Sequence, residues 1–184
     1  MRPLEFDAVW INGSVGTGKT TTAEAVGAEL ERLGVPGAVI DVDWLRRAWP
    51  APAGDRFNEA LARANIRAIA ANFREHGARV IVSAGVIEAA AELGLVSDAL
   101  AARRMLHVLL TLDPVVAAAR LQARHGEDAG LEWHLRRHPE LAGILDRAGF
   151  KDEVVVDTTR LSPDAAARAI VARVFPPTGT RITE

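Results

Sequence analysis

Residues 8–20 read Ala8-Val9-Trp10-Ile11-Asn12-Gly13-Ser14-Val15-Gly16-Thr17-Gly18-Lys19-Thr20, and this stretch decides the fold. Ala8–Asn12 is a short apolar run of buried-strand type. The eight residues after it match G-x-x-x-x-G-K-[ST] at every required position. Glycines let the backbone curl so that successive N–H groups converge on phosphate oxygens. In that arrangement the Lys19 ammonium reaches the terminal phosphates of a nucleoside triphosphate, and the Thr20 hydroxyl ligates Mg²⁺. A helix opening at Thr20 adds its positive N-terminal dipole. Gly13, Ser14, Val15, Gly16, Thr17, Gly18, Lys19, Thr20 and Thr21 are therefore the expected nucleotide site, with ATP and Mg²⁺ as cofactors. The chain has only two lysines, Lys19 and Lys151, against twenty arginines, so a lysine retained here is the more telling.

Downstream, β-branched runs alternate with longer Ala/Leu/Arg stretches. The spacing predicts a helix over Thr20–Leu33, ended by Gly34 and Pro36, and a strand over Ala38–Val42. Asn58–His76 is apolar at helical spacing and closes at Gly77. Strands are expected at Arg79–Ser83, Met105–Leu112 and Glu153–Val156. A helix follows Asp113-Pro114, reaching about His125, and another covers Pro163–Val174. Between them Gly126–Pro139 reads as a polar segment leading into a short helix through Arg147. This alternation predicts an α/β fold: a three-layer αβα P-loop NTPase domain with a five-stranded parallel sheet and ligands at the carboxyl ends of its strands.

Composition narrows the partners. The 184 residues fit a single domain spanning 1–184, and 49% apolar with 25% charged residues is ordinary for a globular protein. A net charge of −2 provides no basic field for nucleic acid or an anionic membrane. The absence of cysteine removes disulfides and thiolate metal sites. No apolar run approaches the roughly 20 residues of a membrane span, and no signal-peptide core follows Met1. The expectation is a cytoplasmic monomer or homodimer acting on a small-molecule acceptor.

The second strand ends in Asp41-Val42-Asp43-Trp44-Leu45-Arg46-Arg47. Carboxylates at a strand edge beside a phosphate cradle take a proton from a substrate hydroxyl or hold Mg²⁺-bound water. Arg46 offers a planar fork to an anionic acceptor. A plain polar turn, with Asp43 as a cap, fits this spacing equally well.

This segment resembles the one that follows the P-loop in adenylylsulfate kinases, which carry an Asp-Gly-Asp-x-x-Arg element, then Asn-Ile-Arg-Arg on a helix, then a strand ending in serine. Here stand Asp41-Val42-Asp43-Trp44-Leu45-Arg46, then Asn65-Ile66-Arg67-Ala68, then Ile81-Val82-Ser83. The likeness covers roughly residues 8–85. It implies a nucleoside-monophosphate-kinase-like fold and an ATP-dependent kinase reaction. By the same resemblance Asp43 is the catalytic base or the anchor of Mg²⁺-bound water. Asp41, Arg46, Asn65 and Ser83 line the acceptor pocket. Val42 replaces the family's middle glycine, and the family's later lysine- and phenylalanine-containing lid sequence does not recur. The resemblance therefore implies the reaction but leaves the acceptor unnamed.

Arg120 and Arg124 lie four apart on a predicted helix and share one face. Two arginines entering a polar segment resemble the lid of nucleotide and sugar-acid kinases, where one stacks on adenine and another meets the transferring phosphates. Arg120 is thus expected at the nucleotide, Arg124 at the chemistry, and Arg136 at the acceptor, on a mobile lid around residues 120–147. A solvated arginine-rich face is the plainer alternative. Thr158 and Arg160, after the fifth strand, are expected beside the base.

Other signals carry less. Asp113 could pass for a Walker B aspartate, but Pro114 favours a helix cap. His134 and His138 are four apart, yet Pro139 biases His138 away from helical geometry and no third metal ligand has suitable spacing. Trp44 and Trp49 read as core residues or as stacking platforms. A GTPase is disfavoured, because neither Asn-Lys-x-Asp nor an Asp-x-x-Gly after the third strand is present. The competing class is a regulatory P-loop ATPase whose output is a protein partner.

Overall fold

The computed structural model describes residues 3–125, 130–151 and 153–175. Five strands, β1 (Ala8–Gly13), β2 (Gly37–Asp41), β3 (Val80–Ala84), β4 (Met105–Thr111) and β5 (Val154–Asp157), form one parallel sheet in the order β2-β3-β1-β4-β5. Seven helices flank it among the described residues: α1 (Lys19–Arg32), α2 (Val42–Leu45), α3 (Glu59–Glu75), α4 (Glu92–Ala99), α5 (Pro114–His125), α6 (Gly130–Arg147) and α7 (Pro163–Val174).

Alternation along the strands sorts the core into two layers. Val9, Ile11, Val82, Val108 and Leu110 point toward α1 and α7, where they meet Val26, Leu30 and Ile170. Ala8, Trp10, Ile40 and Ile81 point the other way, against Ile66 and Ala70 of α3 and Val96 of α4. Because β1 is central and buried on both faces, its carboxyl end delivers the glycine-rich turn to the middle of the sheet edge. At Gly13 the chain passes so close to β4 that a side chain is excluded. A Cβ there would meet Thr17 Oγ1 at 2.7 Å and the Leu110 carbonyl oxygen at 2.9 Å.

The sheet and the predicted helices match the sequence reading, and three local expectations are corrected. First, α4 was not expected; it is short and contains Gly94, and it holds because Val96, Ala99 and Leu100 are buried. Second, β2 ends at Asp41, and Val42 already belongs to α2. Third, the part of the expected polar segment that is described, from Gly130, is helical, and α6 runs through Pro139. Proline removes one ladder hydrogen bond, but α6 gains the burial of His138, Leu141 and Leu145, the last two packed against Leu109 of β4. Tertiary contact outweighs the local penalty. Residues 126–129 of that segment lie outside the described residues.

Asp7 fastens the start of β1 to the approach to β4. Its buried carboxylate accepts from the Arg103 and Arg104 amides at 3.0 and 3.1 Å and from Arg103 Nε at 3.2 Å. Burial alone would raise its pKa, but these donors, with Arg74 nearby, hold the group below the ordinary carboxylate value. A depressed folded pKa contributes stability above the unfolded value of about 3.9 and loses it as pH falls through the folded value. Asp7→Asn is expected to cost about 1–3 kcal/mol at pH 7 and to flatten the acid limb of stability, as read by urea unfolding at pH 7 and pH 3.

Candidate active site

The turn between β1 and α1 is built to leave N–H groups unpaired. Gly18 caps α1 without a side-chain hydrogen bond, and the first turn holds no acidic residue, so its amides face outward unclaimed. Meanwhile several carbonyls of the turn are fastened. Ser14 O accepts from Thr17 Oγ1 at 2.9 Å and Lys19 Nζ at 3.1 Å. Thr17 O accepts from Thr158 Oγ1 at 3.2 Å. Beneath the turn, Asn12 Oδ1 accepts from the Gly13 amide at 2.9 Å, while its Nδ2 donates to Ile87 O at 2.9 Å and faces His107 Nε2 at 3.3 Å. Burial pushes the His107 imidazole down to about 4, so a neutral ring accepts there.

Beside the turn stands the end of β2. Thr20 Oγ1 donates to Asp41 Oδ2 at 2.8 Å, and Asp41 Oδ1 accepts the Asp43 amide at 2.9 Å. Asp41 is thus the carboxylate joined to the phosphate turn. Asp43, its side chain 72% exposed, lies 3.7 Å from Arg46 Nε. Burial pushes the Lys19 ammonium down to about 8, against the pull of Asp43 and Asp41; Arg124 and Arg46 push it the same way as burial. Lys19, Asp41, Asp43, Arg46 and Arg124 are therefore within electrostatic reach of one another. A threonine hydroxyl with a carboxylate is a hard oxygen donor pair of the kind Mg²⁺ accepts alongside phosphate and water.

Next to this constellation is a small cleft with Trp10 and Ile66 in its floor and Arg46, Glu59, Arg63 and Glu92 around it. Arg46 Nη1 pairs with Glu59 Oε1 at 2.6 Å, and burial pushes the Glu59 carboxyl up despite that partner. Two donors here, Trp10 Nε1 and Arg46 Nε, are buried without a hydrogen-bond partner among the described residues. A larger groove of about 560 Å³ runs between α1 and β2 past Gly27 and Val39, away from the phosphate turn, and brings no such charge pairing.

Other expected residues are distributed as follows. Asn65 donates Nδ2 to Leu45 O at 2.7 Å, tying α3 to the end of α2. Ser83 is fully buried in β3, in register between Trp10 and Ile40, and its hydroxyl has no partner. Arg120 donates to Thr158 O at 2.8 Å, and the Thr158 hydroxyl donates to Thr17 and Thr111 carbonyls, so both hold the turn from below. Arg160 is exposed, and Arg136 lies out on α6 at 4.0 Å from Glu132. Asp113 caps α5 by accepting from the Val115 and Val116 amides. Trp44 and Trp49 are 69% and 88% exposed, so neither is a core residue; α2 is one turn long and turns Val42, not Trp44, into the core.

Asn12, Glu59 and Glu92 carry no signal in the sequence as site residues, and Arg137 and His138 of α6, a lid arginine and a weighed metal ligand there, carry none for the partners they have. His138 Nδ1 lies 2.6 Å from Val15 O and 3.0 Å from Ser14 Oγ. Arg137, 13% exposed, pairs with Glu88 and, at 3.1 Å, with Glu140. The His134/His138 spacing was a usable signal, but the proline beside His138 spoke against a helix.

The adenylylsulphate kinase family model matches residues 6–106. The adenylyl-sulfate kinase of Burkholderia ambifaria is 27% identical over 179 residues, 95% of each chain. Among solved structures, a gluconokinase from Sinorhizobium meliloti superposes with a TM-score of 0.61 at 19% identity, covering 91% of this chain and 90% of that one. The APS kinase of Mycobacterium tuberculosis, solved with AMPPNP and APS, gives 0.57 at 20% identity, covering 93% and 98%. Fold and site together define a P-loop phosphotransferase of the small-molecule kinase class, dependent on ATP. Within that class, the chain belongs to the adenylylsulphate kinase family.

The Lys19 environment makes nucleotide affinity pH-dependent. Triphosphate oxygens favour the charged ammonium, so above about pH 8 binding must take up a proton. The Kd for an ATP analogue is expected to rise with pH above about 8, approaching tenfold per unit. Lys19→Met should bind weakly with no such slope, as calorimetry from pH 7.5 to 9.5 would read.

Proposed function

We propose that this kinase transfers the γ-phosphoryl group of ATP to a hydroxyl of a small anionic acceptor seated between α2, α3 and α4. The observation that carries this reading is the division of labour between two carboxylates only two residues apart. Asp41 is committed to Thr20, which suits it to Mg²⁺-bound water beside the β- and γ-phosphates. Asp43 is free of that bond and open, which suits it to accept the proton of the attacking hydroxyl. The hydroxyl oxygen bonds to the γ-phosphorus, the bond to the bridging β–γ oxygen breaks, and ADP leaves.

The loose transition state spreads negative charge over the phosphoryl oxygens. Lys19 reaches those oxygens through the turn, and Arg124 approaches them from the end of α5, where among the described residues no carboxylate pairs with it. Arg46 and Arg63 supply positive charge to the acceptor's anionic group, and the unused N–H groups of Arg46 and Trp10 suit oxygen acceptors. Glu59 and Glu92 suit donors such as further hydroxyls. Adenylylsulfate meets this description, and so does a sugar acid. The same reading makes residues 1–184 one kinase domain, with residues 120–147 as a closing segment, acting on a diffusible metabolite in the cytoplasm as a monomer or homodimer.

Asp43→Asn is expected to lower kcat by about 10²–10⁴ while the affinity for Mg·ATP stays near wild type. Asp41→Asn is expected to shift the Mg²⁺ concentration that gives half-maximal rate upward. Steady-state assays with adenylylsulfate and with gluconate as acceptors read both; equal kcat for Asp43→Asn and the parent would overturn the base assignment. Arg124→Ala should lower kcat by about 10²-fold or more with little change in the KM of either substrate.

A further inference from the structure

We infer that His138 is a positioning residue for the phosphate turn, holding the Val15–Gly16 peptide so that its N–H points into the nucleotide site. A carbonyl oxygen only accepts, so at 2.6 Å from Val15 O the Nδ1 of His138 carries the ring proton and donates it. Ser14 Oγ, at 3.0 Å from the same nitrogen, takes the weaker branch of that bond. In a trans peptide the carbonyl and the N–H point in opposite directions. Fixing Val15 O toward α6 therefore aims the Gly16 N–H the other way, toward the phosphates.

This peptide precedes a glycine and is not held by its own backbone alone. Gly16 sits at φ +85°, a region glycine enters at no steric cost, and among the described residues Val15 O accepts only from His138. If the peptide turned over, it would direct a carbonyl dipole at an anion. Two other turn carbonyls have their own ties: Ser14 O to Thr17 and Lys19, and Thr17 O to Thr158.

His138 is itself held. It is 5% exposed on α6, a helix anchored by Leu141 and Leu145 against Leu109. Its neighbour Arg137 pairs with Glu88, just beyond β3. Ile87, one residue earlier, accepts from Asn12 Nδ2 through its carbonyl and lines the acceptor cleft. Two consecutive residues of α6 thus grip the nucleotide turn and the wall of the acceptor cleft. The helix fixes one relative to the other.

The test compares three substitutions by calorimetry with Mg²⁺ and a non-hydrolysable ATP analogue, which requires no knowledge of the acceptor. Asparagine carries an N–H donor at the reach of histidine Nδ1, whereas the donor of glutamine lies at the reach of Nε2. Expected are a Kd raised about tenfold in His138→Ala, recovery to within about threefold in His138→Asn, and no recovery in His138→Gln. Thermal unfolding of each variant separates this order from a loss of fold, since a purely structural role would rank Kd with stability. Should alanine prove unfolded, the asparagine–glutamine comparison stands alone. A glutamine variant that binds as well as or better than the asparagine variant, or an alanine variant with parental Kd, would overturn the inference. Both results are independent of which acceptor is used and of the role of Asp43.

Discussion

A peptide can offer its N–H to a ligand only if something else holds its carbonyl, and this molecule is organised around that constraint. The turn after β1 leaves amides open to a ligand, and the carbonyl oxygens of Ser14, Val15 and Thr17 are held by partners from three parts of the chain. Lys19 and Thr17 serve Ser14 from within the turn. Thr158 reaches Thr17 from beyond β5, and His138 reaches Val15 from α6. Asn12 stands underneath and links the turn to the loop after β3. Each partner is buried or nearly so, and in a low-dielectric setting an unmade hydrogen bond is costly, so the turn is held in the form that receives phosphate before any phosphate arrives.

Charge is arranged on the same plan. The first turn of α1 carries no acidic side chain, leaving the helix dipole unopposed where an anion is to bind. Carboxylates stand two strands away in the sheet, at the end of β2, where they reach Lys19 without filling the cradle. Burial pulls the lysine toward neutrality and the two aspartates resist it. The ammonium is therefore held in a state that a triphosphate improves. On the far side of Arg46, Glu59 is pushed up by burial despite its ion pair, so the cleft contains charges that a polar acceptor would satisfy better than they satisfy each other.

How much of this was legible before the fold was known depended on how local the signal was. Gly13–Thr20 was legible in full, because the motif encodes its own geometry. The five strands were legible because a parallel sheet buries both faces and leaves continuous apolar runs. Asp41 and Asp43 were visible as a pair, but their roles were not, since which of them meets Thr20 depends on where β2 stops. Arg120 and Thr158 were expected at the base of the nucleotide, and they are tied to each other and to the turn from below. His138 was set aside because Pro139 argued against a helix that the burial of Leu141 and Leu145 then secured.

Sequence alone therefore determined the phosphate-binding turn and the parallel sheet that carries it, since each rests on local spacing, while the class of reaction followed from a resemblance over roughly residues 8–85. Only tertiary structure decided which carboxylate, histidine and arginine face that turn. Those partners lie from 21 to 124 positions away along the chain. Their pairing is fixed by strand order and by the burial of α6, not by any pattern that neighbouring residues carry.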